Sequence, residues 1–399
     1  MNNPTVKFEI PDIKFQKYFS ISFFLNLVFL FASCNFSKTS TVEAEIDGDF
    51  TNVKVEHSKG FEIRNYEKYK KLLVFNPWQG AKGISYEYIL SSKSQNNPTN
   101  FSKKNHIKTP VERVICLSTT HVAMIDFLDK QQTIVGISDH KQIFSQEILQ
   151  NFSDEKISEV GSEINLNFET IVKLNPDVVF IYGVGSEALN SLNKLQELNI
   201  QPVIIAEYLE NTPLGKAEWL KFFALFFDKL DFAEKEFSKI ESEYCNYKQL
   251  VEKADWKPII MTGLPWKDTW FVGGGNSFAA KFIGDAGGNY LWKNNLSHES
   301  LALSIESAFE KSADTDIWIN IGIANSAKEI SAVDSGFKQI AAIKNKMLFN
   351  NNARQNLYGG NDYWESGIVN PHLILKDLIH IFHPEILPQH KLFYYKPIF

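Results

Sequence analysis

Between residues 113 and 208 the chain alternates short continuous apolar runs with longer segments whose apolar positions recur every three or four residues. "RVICL" leads through small polar residues into a helix-period segment from Val122 to Leu128, and "TIVGIS" follows. Continuous apolar runs joined by helix-period segments are the pattern of a parallel sheet covered on both faces. "LNFETIVKLNPDVVFIYG", residues 166 to 183, is a further helix-to-strand unit, and "LNKLQELNIQPVIIAEY" supplies another. A near copy of the first, "LSIESAFEKSADTDIWINIG", occupies residues 303 to 322 of a second such series that opens at "KPIIMTGLPW". Each copy carries a glutamate near its start, Glu169 and Glu306.

The two series flank a helical region. Residues 213 to 228 read as one helix. Asp231 followed by Glu234 reads as a capping box, and Ala233, Phe237, Ile240, Tyr244, Tyr247 and Val251 then keep one apolar side. That stripe predicts a long amphipathic helix ending near Lys253, placed to bridge two halves. Ahead of the first series, "FEIRNY", "KKLLVFNPW" and "GISYEYIL" predict strands of a β-rich extension, followed by a polar linker. The expected divisions are an extension and linker over 58–110, an α/β lobe over 111–230, a bridging helix over 231–254 and a second α/β lobe over 255–399.

Composition sharpens this picture at the N-terminus. Lys7, Lys14 and Lys17 precede the apolar run 18–33, which is shorter than the roughly 20 residues a membrane span needs and reads as a signal peptide over residues 1–33. "FASC" resembles the lipobox of bacterial lipoproteins, with Cys34 as the lipidated residue and residues 34–57 as a polar tether; a signal anchor that is never cleaved is the alternative. Either way the chain is expected outside the cytoplasm, in the periplasm, held at a membrane. The remaining cysteines, Cys116 and Cys245, form no disulfide framework. Over 399 residues the net charge is −6 with both signs interspersed, which gives no basis for nucleic acid as a partner.

The chemistry-bearing stretches exclude more than they select. "FVGGGNSF" lacks both GxGxxG and the lysine of a P-loop. His372, His380, His383 and His390 crowd the C-terminus, with two of them three apart on a helix, but no HExxH accompanies them, and histidines in a last turn also complement the helix dipole. No GxSxG is present, and Ser118 with His121 lacks a third member. Trp266, Trp270, Tyr358, Tyr363 and Trp364 lie among Gly, Pro and Asn, hence in loops, where a crevice at the strand ends of an α/β sheet would draw on them.

The ordered set "RVICLSTTHVAMIDFL", "VGSEINLNFETIVKLNPDVVF", "PLGKAEWLKFFALFF", "GGGNSFAAKFIGDAGG", "SIESAFEKSADTDIWI" and "GGNDYWESG" resembles the periplasmic substrate-binding proteins of metal-chelate ABC importers. The resemblance implies two Rossmann-like α/β lobes joined by one long helix, with a small β-rich extension at the N-terminus, and a ligand held in the interlobe cleft. It implies no enzymatic activity and no cofactor; the ligand would be an iron complex (siderophore), haem or cobalamin. By position it assigns Ser118, Thr119, His121, Asp139, His140, Ser162 and Glu163 from one lobe and Trp266, Trp270, Tyr363 and Trp364 from the other to ligand binding, with no metal ligands. It also matches Glu169 and Glu306 to the carboxylates that meet arginines of the importer's transmembrane dimer. The competing readings are an exported enzyme using His121 or His140 as its acid-base group, and a surface lipoprotein that only scaffolds.

Overall fold

The computed structural model describes residues 49–94, 105–183 and 188–399. The expected signal peptide, Cys34 and most of the tether lie outside the described residues.

The N-terminal extension is a five-stranded sheet in chain order, β1 (Thr51–Asn52), β2 (Phe61–Asn65), β3 (Lys70–Phe75), β4 (Ser85–Ser92) and β5 (His106–Thr109). All neighbours are antiparallel except β4 and β5. Its apolar face, with Phe61, Ile63, Leu72, Val74, Tyr88 and Leu90, is buried in the same core as the lobe that follows. Phe61 meets Trp219 and Phe222 edge-on, with centroids 4.9 and 5.6 Å apart. The described residues also include a strand, β1, ahead of residue 57, where the tether was expected to end. The buried Glu218 carboxylate accepts from the N–H groups of Glu56, His57 and Ser58 at 3.0, 2.7 and 2.9 Å.

The first lobe comprises β6 (Val114–Cys116), α1 (Thr119–Phe127), β7 (Ile134–Ile137), α2 (Gln146–Ser153), β8 (Ser158–Glu159), α3 (Phe168–Leu174), β9 (Val178–Ile181), α4 (Ala188–Glu197) and β10 (Pro202–Ile204). Its sheet is parallel throughout, in the order β10-β9-β6-β7-β8. α5 (Pro213–Ala224), capped by Thr212, leads to α6 (Leu230–Val251).

α6 has 22 residues, a length of about 33 Å. Its N-cap lies two residues before that of the expected capping box: Lys229 is the N-cap, with no side-chain hydrogen bond, and Asp231 sits inside the first turn. The apolar stripe holds. Ala233 is buried in the first lobe's core, Phe237, Ile240, Tyr244 and Val251 in the second's, and Tyr247 is half-buried. One helix therefore shares its apolar side between two cores.

The second lobe comprises β11 (Ile259–Thr262), β12 (Thr269–Gly273), α7 (Phe278–Asp285), β13 (Asn289–Tyr290), β14 (Ser300–Ser304), α8 (Ile305–Ser312), β15 (Ile317–Ile319), α9 (Ala327–Val333), α10 (Ala341–Lys344), β16 (Leu348–Asn350), α11 (Pro371–Phe382) and β17 (Lys396–Pro397). The sheet order is β13-β11-β15-β16-β17, parallel except for β17, and β12 pairs with β14 as a separate antiparallel ribbon. The order β13-β11-β15-β16 repeats β7-β6-β9-β10. The internal copy seen in sequence is thus a repeat of topology, with α3 before β9 matching α8 before β15.

The glycine run ahead of α7 has a packing cause. A Cβ on Gly274 would lie 2.3 Å from the Ser297 carbonyl oxygen, and one on Gly275 would lie 2.3 Å from that of Asn295. Two backbone segments pass there at a separation only glycine permits. The C-terminal histidines also have separate structural partners: His390 Nε2 meets Asp377 at 2.6 Å, His380 Nδ1 the Leu387 carbonyl at 2.9 Å, and His383 is buried. Cys116 is buried and Cys245 exposed, and both are free thiols.

Candidate functional site

In an open parallel sheet the loops at the strand carboxyl ends shape the ligand crevice. On the first lobe Ser118 caps α1, its Oγ accepting from the Thr120 N–H at 3.3 Å. Ser118, Thr119 and Asp139 line a pocket of about 210 Å³ together with Ser138, Gln142 and Tyr182. Burial, reinforced by the Glu163 and Glu207 carboxylates, pushes the Tyr182 phenol up to about 12, so it stays a hydrogen-bond donor. Ser162 and Glu163 are half-buried in the turn before α3, where Ser191 Oγ donates to the Glu163 carbonyl at 2.6 Å.

His140 stacks on Phe152, with centroids 4.5 Å apart and an 8° interplanar angle, and its Nδ1 hydrogen-bonds Glu159. Asp139, His140 and Glu159 each offer one ligand atom, all within 4.8 Å of one another. One imidazole nitrogen and two carboxylate oxygens suit a first-row divalent ion, which would have to replace the His140–Glu159 hydrogen bond.

On the second lobe Trp266 and Trp364 are exposed, at 66% and 56%, and Lys267 Nζ lies 4.3 Å from the centroid of the Trp266 ring. Tyr358, also exposed, presents an edge to His140 of the opposite lobe at 5.9 Å. Ile323, Leu357 and Ile164 are likewise exposed apolar residues of loops.

Three expected contact residues are in the core instead. His121 lies one turn inside α1 among Phe180, Tyr182 and Phe223, fully buried; burial lowers its pKa to about 4 against the opposing pull of Glu207, so the imidazole is neutral. Trp270 is fully buried against Trp318, its Nε1 donating to the Thr262 carbonyl at 3.2 Å. Tyr363 is packed between Tyr394 and Tyr395. Trp270 and Tyr363 occupy inward-facing positions next to exposed Trp266 and Trp364, a distinction that loop composition does not carry.

Sequence reasoning missed the loop after β16, which crosses to the first lobe. Glu365 accepts from the Phe144 and Ser145 N–H groups at 2.7 and 2.8 Å, and Asn356 Nδ2 donates to the Lys141 and Ile143 carbonyls at 2.9 and 2.7 Å. Arg354, over the Phe144 ring at 5.0 Å, is paired with Asp362 at 2.5 Å. The Gly-Gly-Asn composition marks this stretch as a loop; nothing in it names the carbonyls it meets.

Glu169 and Glu306 are both exposed and hold the same helical position. Each is the second residue after an N-cap, Asn167 or Ser304, whose side chain accepts from the third N–H at 3.0 or 3.1 Å. Helices that precede equivalent strands run antiparallel to them, so each helix start lies at the end of its sheet where the parallel strands terminate.

Two α/β lobes on one long helix, with a crevice between their strand ends, define a solute-binding architecture rather than a conventional dinucleotide fold. The chain belongs to the periplasmic binding protein family, whose pattern matches residues 114–352. It is similar to an uncharacterized lipoprotein of Methanocaldococcus jannaschii, 27% identical over 365 residues, covering 84% of this chain and 85% of the relative. Among solved structures, a possible iron-binding periplasmic solute-binding protein of Staphylococcus epidermidis matches with a TM-score of 0.55 at 17% identity, over 69% of this chain and 100% of the other. The periplasmic vitamin B12 binding protein of Vibrio cholerae matches with a TM-score of 0.51 at 13% identity, over 70% of this chain and 99% of the other.

Proposed function

We propose that the protein is a lipid-anchored receptor that captures a metal chelate, an iron complex, haem or cobalamin, in the interlobe cleft and hands it to an ABC importer. It acts by binding and release, not by catalysis. The observation that carries the reading is the pair of exposed carboxylates, Glu169 and Glu306, at one helical position of two topologically equivalent units. A carboxylate in a capped first turn is favoured by the helix N-terminus and is held for a bidentate arginine partner. The exposed loop aromatics Trp266, Tyr358 and Trp364 support a ligand with a flat or macrocyclic face. The enzyme reading loses one of its candidate bases, because His121 has no access to solvent.

The test joins binding to transport. Tryptophan quenching of the purified chain by cobalamin, haem or a ferric siderophore should saturate with one of the three; no saturation with any would defeat the receptor reading. Glu169→Lys with Glu306→Lys should abolish uptake of that chelate while leaving its affinity unchanged. Uptake that survives the double reversal would remove the docking role.

A further inference from the structure

A cavity of about 650 Å³ is not walled by the two lobes alone. One side is the turn between β3 and β4 of the N-terminal sheet, including Trp78 and Gln79; the second is the loop after β10, from Tyr208 to Thr212; the third is the start of β14 in the second lobe, at His298 to Ser300. The family's pattern begins only at residue 114, so the first wall lies outside it. The cavity adjoins the cleft: Tyr208 lines it, Tyr182 lines the 210 Å³ pocket, and the two rings lie 6.4 Å apart at 70°.

The lining chemistry is specific in what it offers. Glu210 Oε1 accepts from the Lys59 and Gly60 N–H groups at 2.9 and 2.8 Å and from the Trp219 indole at 3.2 Å, besides the Ser58 hydroxyl. His57 is paired with Glu241 at 2.6 Å. Lys59 and Glu299 then contribute one exposed charge of each sign, and the buried Glu210 carboxylate, held by neutral donors, adds a negative one that disfavours an anion. What remains is aromatic surface from Phe75, Trp78 and Tyr208 beside the exposed carboxamides of Gln79 and Asn211, whose side chains have no hydrogen-bond partner among the described residues. A carboxamide donates and accepts at once, so a pair of them beside aromatic rings selects a flat, uncharged group bearing amides or hydroxyls.

We propose that the N-terminal sheet completes a second binding compartment beside the cleft, one that takes an uncharged, amide- or hydroxyl-bearing ring. On the receptor reading, on which this assignment rests for its biological meaning, that ring is a pendant arm of the chelate whose metal-bearing core occupies the cleft. The extension thereby sets which arm is accepted.

The experiment uses the mature chain with nicotinamide, a flat neutral carboxamide, observed by saturation-transfer NMR, and nicotinate as its charged counterpart. Nicotinamide should bind saturably in the millimolar range expected of so small a ligand, and nicotinate more weakly. Ser300→Trp, which fills the cavity from an exposed strand position, and the Gln79→Ala/Asn211→Ala double variant should each weaken nicotinamide about tenfold. Unchanged melting curves would show that both remain folded. Absence of saturable binding to the parent chain, or binding unaltered in both variants, overturns the proposal. Because nicotinamide carries no metal, that failure leaves the receptor reading intact, whereas a chain that takes nicotinamide and no chelate fails the receptor reading alone.

Discussion

Glu365 shows how much one side chain contributes to the relation between the lobes. Burial raises its carboxyl to about 7, with Asp362 and Asp126 adding and the Phe144 and Ser145 N–H groups opposing. The folded state therefore holds this proton more tightly than the unfolded chain does. The stability it confers is complete below the ordinary carboxylate range and is lost as pH rises toward 7, by about 3 kcal/mol in all. Glu365→Gln has no proton to exchange, so its melting temperature should fall less than that of the parent between pH 5 and pH 8. Parallel pH profiles for the two proteins would refute the assignment. Nothing in "GGNDYWESG" foretells this. The exposed partners Trp266 and Trp364 were legible as loop aromatics, but buried Trp270 and Tyr363 carry the same local composition, and only tertiary packing separates them.

At the scale of elements, the parallel strands and α6 were legible because burial on two faces, or on one helical stripe, must be written in the sequence. The alternation of β2 to β4 likewise announced a sheet with one covered face. What covers it could not be read, since an apolar face specifies no partner. The structure supplies α5, through Phe61 on Trp219 and through Glu218, whose carboxyl burial would raise but which Lys221 and three N–H groups hold below its ordinary value. Lys221 Nζ, 2.8 Å from that carboxylate, is itself buried. Glu218→Ala leaves this buried ammonium without its carboxylate and removes the acceptor of the three N–H groups of residues 56–58, and should cost about 3–5 kcal/mol in chemical denaturation. A loss below 1 kcal/mol, within the range of about 0–1 kcal/mol typical of surface pairs, would mean that the sheet is held by its apolar face alone.

Across the whole molecule, α6 and the loop after β16 both join the lobes. A Cβ on Gly360 would stand 2.7 Å from the Gln142 carbonyl of the opposite lobe, so Gly360→Ala acts as a wedge between them. Amide exchange at Phe144 and Ser145, whose N–H groups Glu365 holds, should quicken in that variant, while exchange in β9 and β15 stays as it was. Equal protection at Phe144 and Ser145 in both proteins would mean that the loop yields locally and the lobes do not part. A crevice spanned by such a clasp is suited to small adjustments around a ligand rather than wide opening.

The shared core of the extension and the first lobe has a practical corollary. A chain trimmed to begin at Val114, where the family's pattern starts, would lose the sheet that covers Trp219 and Phe222, two fully buried rings. It would present them to water as one contiguous apolar patch. Such a fragment would self-associate, and its insolubility would say nothing about whether the two lobes can fold.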